Sequence, residues 1–248
     1  MVPTLPPVAA RLVNLETLII TIELMATIAF AMSGLMEAVR KRMDVVGVFS
    51  VTFVSAFGGG TLRDVLLNRR TFFWVQHQEY VWLVLLLTLI VPLRMSAVRR
   101  QSIEKAMHFA DACGLGLFTI SGMSIALLAG MPKIVVIMMG TITATFGGVV
   151  RDVLCNEIPK AFHDHSPYAL CSFVGGAFFL FLHEIGTPAG LASALGIISI
   201  TGMRLVAVVK IGIYQPGRLK NSPAARRWQH AAKAGIKLPV PALLLVSG

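Results

Sequence analysis

Two copies of Gly-Gly-x-x-Arg-Asp, ending in Arg63-Asp64 and Arg151-Asp152, set charged side chains beside glycine clusters in an otherwise apolar sequence. An unpaired charge deep in a membrane costs at least ~2.5–3.5 kcal/mol on insertion scales, so such groups pair, face a hydrated cavity, or do both. Two readings follow: an ion pair that cross-links helices, or charges that set the field along a solute path. Adjacent helical residues point about 100° apart, so each Arg is expected to pair with a group on another helix rather than with its neighbouring Asp. Two further carboxylates, Glu23 and Asp111, stand within apolar stretches, where they favour cations over anions. For Asp111 a blander role, stabilisation near a helix N-terminus, is equally open.

The glycines carry their own signal. Gly58-Gly59-Gly60 and Gly147-Gly148 follow small polar residues: Ser50, Thr52 and Ser55 in one copy, Thr141, Thr143 and Thr145 in the other. Glycine inside a helix costs about 1 kcal/mol relative to alanine, so a cluster implies either a bend or a close approach. A bend frees carbonyl oxygens suited to a partly dehydrated monovalent cation. A close approach makes the glycines a helix-packing device.

These residues need helices to hold them. Over 248 residues the chain is 56% hydrophobic and 14% charged, with a mean hydropathy of +0.76, too apolar for a soluble domain. A bilayer core of about 30 Å needs roughly 20 apolar residues, and seven stretches approach this: 17–36, 45–62, 79–94, 110–129, 133–150, 167–183 and 187–208. The net charge of +10 forms no aromatic-interleaved stripe, which argues against nucleic acid. With seven spans, sixteen Lys and Arg, Arg94 included, fall on the side of the segments around 37–44, 95–109, 151–166 and the tail from 209, against five on the other. The positive-inside rule then puts the N-terminus outside and the C-terminus in the cytoplasm. Arg204, late in the last stretch, is expected to snorkel to the interface. The proline-containing start lacks a cleavable signal pattern, so the first helix is expected to be retained. The basic tail reads as a topology signal, with anionic lipid headgroups as an alternative partner.

An offset of 88 residues superimposes two halves. Phe30-Ala31-Met32-Ser33-Gly34 falls on Phe118-Thr119-Ile120-Ser121-Gly122, Glu23 on Asp111, Tyr80 on Tyr168, and the stretch Gly59 to Asn68 on Gly147 to Asn156. Each half has three spans, so the second enters the membrane from the opposite side. The fold class is an all-α integral membrane protein of two inverted three-helix repeats plus a seventh helix. Its divisions are 1–16, repeats over 17–105 and 106–186, the seventh helix at 187–210 and a basic tail over 211–248. Inverted repeats place a solute path at their interface.

Other chemistry lacks support. Cys113, Cys155 and Cys171 have no CxxC spacing and read as small buried residues. His163 and His165 have no further ligand at usable spacing, so no metal is expected. No glycine cluster leads into Lys-Ser/Thr, and no nucleophile with its base is evident, so neither an enzyme nor a cofactor is expected.

The paired Gly-Gly-x-x-Arg-Asp motifs, Phe-x-x-Ser-Gly in the first and fourth spans, and Asn156-Glu157-Ile158-Pro159 resemble the bacterial UPF0126 membrane proteins, relatives of the trimeric intracellular cation (TRIC) channels. The resemblance covers about residues 17–214. It implies a homotrimer in the bacterial inner membrane, each subunit with its own path for monovalent cations, chiefly K⁺, between the repeats. Ser33, Ser121 and the glycine-rich spans would line or gate that path. The same domain is described as a glycine transporter domain, which keeps a carrier for a small zwitterion open; a non-conducting scaffold is the third reading. The first half has three glycines where the second has Phe146-Gly147-Gly148, so symmetric gating is not implied.

Overall fold

The computed structural model describes residues 7–95, 100–162 and 167–213. Among them are eight α-helices and one short 3-10 helix over Lys160–Phe162. The helices are α1 (Pro7–Arg40), α2 (Val45–Leu66), α3 (Phe73–Gln76), α4 (Gln78–Met95), α5 (Arg100–Leu128), α6 (Lys133–Leu154), α7 (Tyr168–Glu184) and α8 (Ala189–Ile213). Five of these, within α1, α2, α5, α6 and α8, are long and apolar enough to cross a membrane; α4 and α7 are shorter apolar helices. Residues up to Val206 form one compact unit, and from Ala207 a second begins, of which only the end of α8 is described.

Apolar periodicity located the helices, but their ends follow polar cues the expected spans did not use. α5 starts at Arg100, so Lys105 lies on a helix rather than in the basic loop expected at 95–109. Asp44 caps α2, its side chain accepting from the Gly47 amide at 2.8 Å. α2 and α6 end alike. Asn68 and Asn156 adopt left-handed φ values of 52° and 54°, while the following amides, Arg69 and Glu157, bond back to the Asp64 and Asp152 carbonyls at 2.8 and 2.9 Å. This satisfies the last carbonyls of each helix and explains the asparagine at the end of both motif copies. α1 and α5 also stop at equivalent positions, Arg42 (φ 57°) and Gly130 (φ 70°).

The packing repeats with the sequence. α1 lies against α2 and α5 against α6, while α1 meets α5 and α2 meets α6 across the join between the halves. α4 packs on α1 and α2; α7 packs on α5 and α6. Phe30, Phe57, Phe73, Leu115, Phe118 and Met123 fill the centre. Exposed Trp82, Leu86, Leu89 and Ile90 on α4, and Leu170, Phe178 and Phe181 on α7, form the outward apolar surface that lipid requires.

Candidate functional site

Where α2 crosses α6, both helices run unbroken through their glycines. A Cβ on Gly59 would collide with the Thr143 carbonyl oxygen, and one on Gly147 would lie 2.5 Å from the Ser55 carbonyl oxygen. Of the two readings the geometry supports the close approach: these glycines let two backbones touch. Gly60 makes room for the Phe73 ring, and at Gly148 a Cβ would press on the Tyr168 hydroxyl at 3.3 Å. Gly58 is different, since a Cβ there would meet nothing closer than the Gly147 Cα at 3.6 Å. The third glycine of the first half is not sterically required. Of the hydroxyls before the glycines, five are also occupied. Thr52, Thr141, Thr143 and Thr145 bond to carbonyls four residues back, and Ser55 donates to the Phe30 carbonyl at 3.0 Å.

On either side of this crossing lies a buried charge triad. In the first half, Arg63 pairs with Glu23 on α1 through Nη1, and with its neighbour Asp64 through Nε at 2.9 Å. In the second half, Arg151 Nη1 lies 2.8 Å from Asp111 Oδ1 on α5, and Nε donates to Asp152 at 2.9 Å. Each Arg thus pairs with both the distant carboxylate and the adjacent one. The expectation that neighbouring Asp would not pair fails because the long guanidinium stem curls back along the helix end. The second oxygens of the Asp residues turn outward to tie down the following segments: Asp64 Oδ2 accepts from the Phe73 amide at 2.8 Å, and Asp152 Oδ2 from the Lys160 amide at 3.0 Å. Asp111 sits well inside α5, so its partner is Arg151 rather than a helix N-terminus.

The serines join the halves. Arg151 Nη1 donates to Ser33 at 2.6 Å and Arg63 Nη1 to Ser121 at 3.4 Å, so each guanidinium reaches the hydroxyl of the other half. Ser33 also approaches Asp111 Oδ1 at 3.5 Å. At formal charges the second triad holds one cation between two anions, whereas at the first Arg69 Nη1 also lies 3.4 Å from Asp64 Oδ1, so two cations face two anions.

The surroundings differ between the halves. Phe73 lies over the Arg63 guanidinium, 5.4 Å from the ring centroid; the residue at the matching position is Ala161. The Tyr80 hydroxyl donates to the Ile20 carbonyl at 3.4 Å. The Tyr168 hydroxyl and Asp111 Oδ2 are enclosed without a hydrogen bond to the described residues. Arg204 is 2% exposed with its guanidinium 4.5 Å from the Tyr168 ring centroid, so it does not snorkel. Burial against Tyr168 wins because that ring face accepts the cation inside the protein.

A vestibule of about 450 Å³ opens beside the first triad, lined by Glu16, Ile19 and Glu23 of α1, Leu67, Arg69, Phe73 and His77, and Ile125, Leu128 and Ala129 at the end of α5. At the far end of α1, Arg40 Nη2 pairs with buried Glu37 and lies 2.9 Å from Glu157, and Lys41 Nζ lies 2.6 Å from Glu157. Partial burial opposes ionisation of Glu157, but the hydrogen bond from Lys41 and the charges of Arg40 and Lys41 outweigh it and hold its carboxyl below the usual range. Sequence reasoning passed over this cluster and over Phe73 and Tyr168; only the matched Tyr80 and Tyr168 had signalled anything. Cys155 and Cys171 are buried as expected, whereas Cys113 is half-buried. His163, His165 and the basic tail lie outside the described residues.

A family model described as Glycine transporter matches residues 20–95 and 108–184, the two halves in turn. A UPF0126 membrane protein of Vibrio cholerae is 32% identical over 80% of this chain and 84% of its own length. The chain belongs to the UPF0126 family. The UPF0126 inner membrane protein YadS of Escherichia coli is 31% identical over 77% of this chain and 92% of that protein. Among solved structures, a TRIC trimeric intracellular cation channel orthologue from Rhodobacter sphaeroides superimposes with a TM-score of 0.73 at 33% identity, covering 78% of this chain and 98% of that one. A prokaryotic TRIC channel crystallised in 0.5 M KCl gives 0.72 at 25% identity, over 80% and 97%. This UPF0126 member is a multi-pass membrane protein with the TRIC fold, and the Arg–carboxylate–serine triads lie within the matched segments.

Proposed function

We propose that the chain is a channel for monovalent cations, chiefly K⁺, with a path inside each subunit between two inverted three-helix repeats. The observation that carries this reading is the vestibule with Glu16 and Glu23 in its wall, leading to the buried Arg63 cluster at the join between the halves. Carboxylates at that place raise the local cation concentration and exclude anions. Likeness to solved TRIC cation channels supports the same reading. The repeats span 17–105 and 106–186, with 187–210 as a seventh helix outside the symmetry and 211–248 as a cytoplasmic basic tail. The subunit works as a homotrimer in a bacterial inner membrane, N-terminus outside, in contact with lipid along α4 and α7.

The test is single-channel recording in a planar bilayer under a KCl gradient. Discrete steps reversing near the K⁺ potential are expected. Glu16→Gln should lower K⁺ conductance at ~0.1 M salt, with the difference closing near ~1 M, where the screening length falls from about 10 Å to about 3 Å. Folded protein that stays silent would sink the channel. The second reading, a carrier for a small zwitterion, is favoured by Arg69 standing with the two glutamates in the same vestibule, and saturable uptake of labelled glycine would establish it.

A further inference from the structure

The 88-residue offset pairs the wall of the vestibule with the ion cluster at the other end of α1. Ile125, Leu128 and Ala129 correspond to Glu37, Arg40 and Lys41, Arg69 corresponds to Glu157, and Leu67 corresponds to Cys155. The first member of every pair except Ile125 and Glu37 comes from a segment that ends a helix in the same way as its counterpart, so the backbones are equivalent and only the side chains differ. At one end these positions border an open cavity. At the other they are taken by mutually paired charges: Arg40 Nη2 to Glu157 at 2.9 Å, Lys41 Nζ to Glu157 at 2.6 Å, and Arg40 to Glu37, which is fully buried. Glu23 and Arg40 are seventeen residues apart on one helix, about 25 Å at the helical rise, so the two ends lie on opposite faces of the membrane-spanning bundle.

We infer that Glu157, held by Arg40 and Lys41, is a latch that closes the path at the end opposite the vestibule. It joins the end of α1 in the first half to the segment after α6 in the second, the two pieces whose counterparts both line the vestibule. Beneath it Cys155 is 4% exposed, packed with Leu35, Ala38, Val48 and Val51. The latch rests on the reading that a path runs between the halves, but not on which solute uses it.

Cys155 makes the inference measurable without any conduction assay. In full-length protein carrying Cys113→Ala and Cys171→Ala, reaction of Cys155 with a small charged methanethiosulfonate reads opening of this end. Slow modification is expected with the latch intact. Glu157→Gln should speed it about fivefold or more, the effect of losing one or two kcal/mol of closure. Lys41→Glu alone should do likewise, by setting a second carboxylate against Glu157. Equal rates in the parent and in both single variants, each inserted and eluting as the parent does, would overturn the latch. Since the readout is thiol accessibility, a silent bilayer recording together with a working latch would count against the channel alone.

Discussion

The two halves keep one charge arrangement and differ in what surrounds it. Both hold an Arg between a carboxylate from a preceding helix and the Asp beside it, and both lend a serine to the other half. The first triad has Glu23 in the wall of an open vestibule, with Phe73 over its Arg. The second is enclosed, with Tyr168 and Arg204 close by. Duplication thus preserved the buried charge neutralisation, which the membrane makes obligatory, and let the access to it diverge. The structural asymmetry between the halves lies at the rims rather than at the centre.

The largest test of that comparison removes each guanidinium in turn. Stripping a buried ion pair of one partner costs ~3–5 kcal/mol. Arg151→Ala should approach that full figure, because Asp111 and Asp152 would be left enclosed, and little folded protein should survive detergent extraction and size-exclusion chromatography. Arg63→Ala should cost less, since Glu23 borders the vestibule and can take up water. Equal losses would mean that the two environments do not differ in hydration. Next in size is the crossing itself. Gly59→Ala should destabilise by ~1–3 kcal/mol by forcing α2 off the Thr143 backbone, while Gly58→Ala should be neutral or stabilise by up to about 1 kcal/mol through helix propensity. Thermal unfolding followed by tryptophan fluorescence separates the two. Smallest are the helix ends. Asn68→Ala and Asn156→Ala place alanine in a left-handed conformation and should each lose ~1 kcal/mol. Their equality would confirm that the backbone symmetry extends past the triads.

Much of this was legible in the sequence. The repeat offset, read from Gly-Gly-x-x-Arg-Asp and Phe-x-x-Ser-Gly, holds in the structure down to the residues that end the helices: Asn68 with Asn156, Arg42 with Gly130. The pairing of Glu23 and Asp111 with the arginines was not reached, because spacing along a chain does not say which helices touch. The argument against Arg63 with Asp64 used Cβ directions and overlooked how far a guanidinium can fold back. Arg204 misled because a cation near a helix end has two ways to escape lipid, and only the packing against Tyr168 decides between them. The glycines were ambiguous in principle, since a bend and a close contact need the same absent side chain. The cluster at Glu157 was invisible for a different reason: its partners lie 116 and 117 positions away, and its symmetry mate, Arg69, has the opposite charge.

The way the triads are shared bears on how the protein is made. Each triad Arg finds both its carboxylates within its own half, and what links the triads to the other half is the hydroxyl bonds to Ser33 and Ser121. As the chain leaves the ribosome, the helices of the first half can therefore enter lipid with Arg63 already neutralised, before the second half exists. The later half does the same, and at the triads the two then associate through a hydrogen bond from each guanidinium to a neutral serine hydroxyl of the other half. No step of biogenesis has to carry a bare guanidinium across the bilayer in search of a partner not yet synthesised.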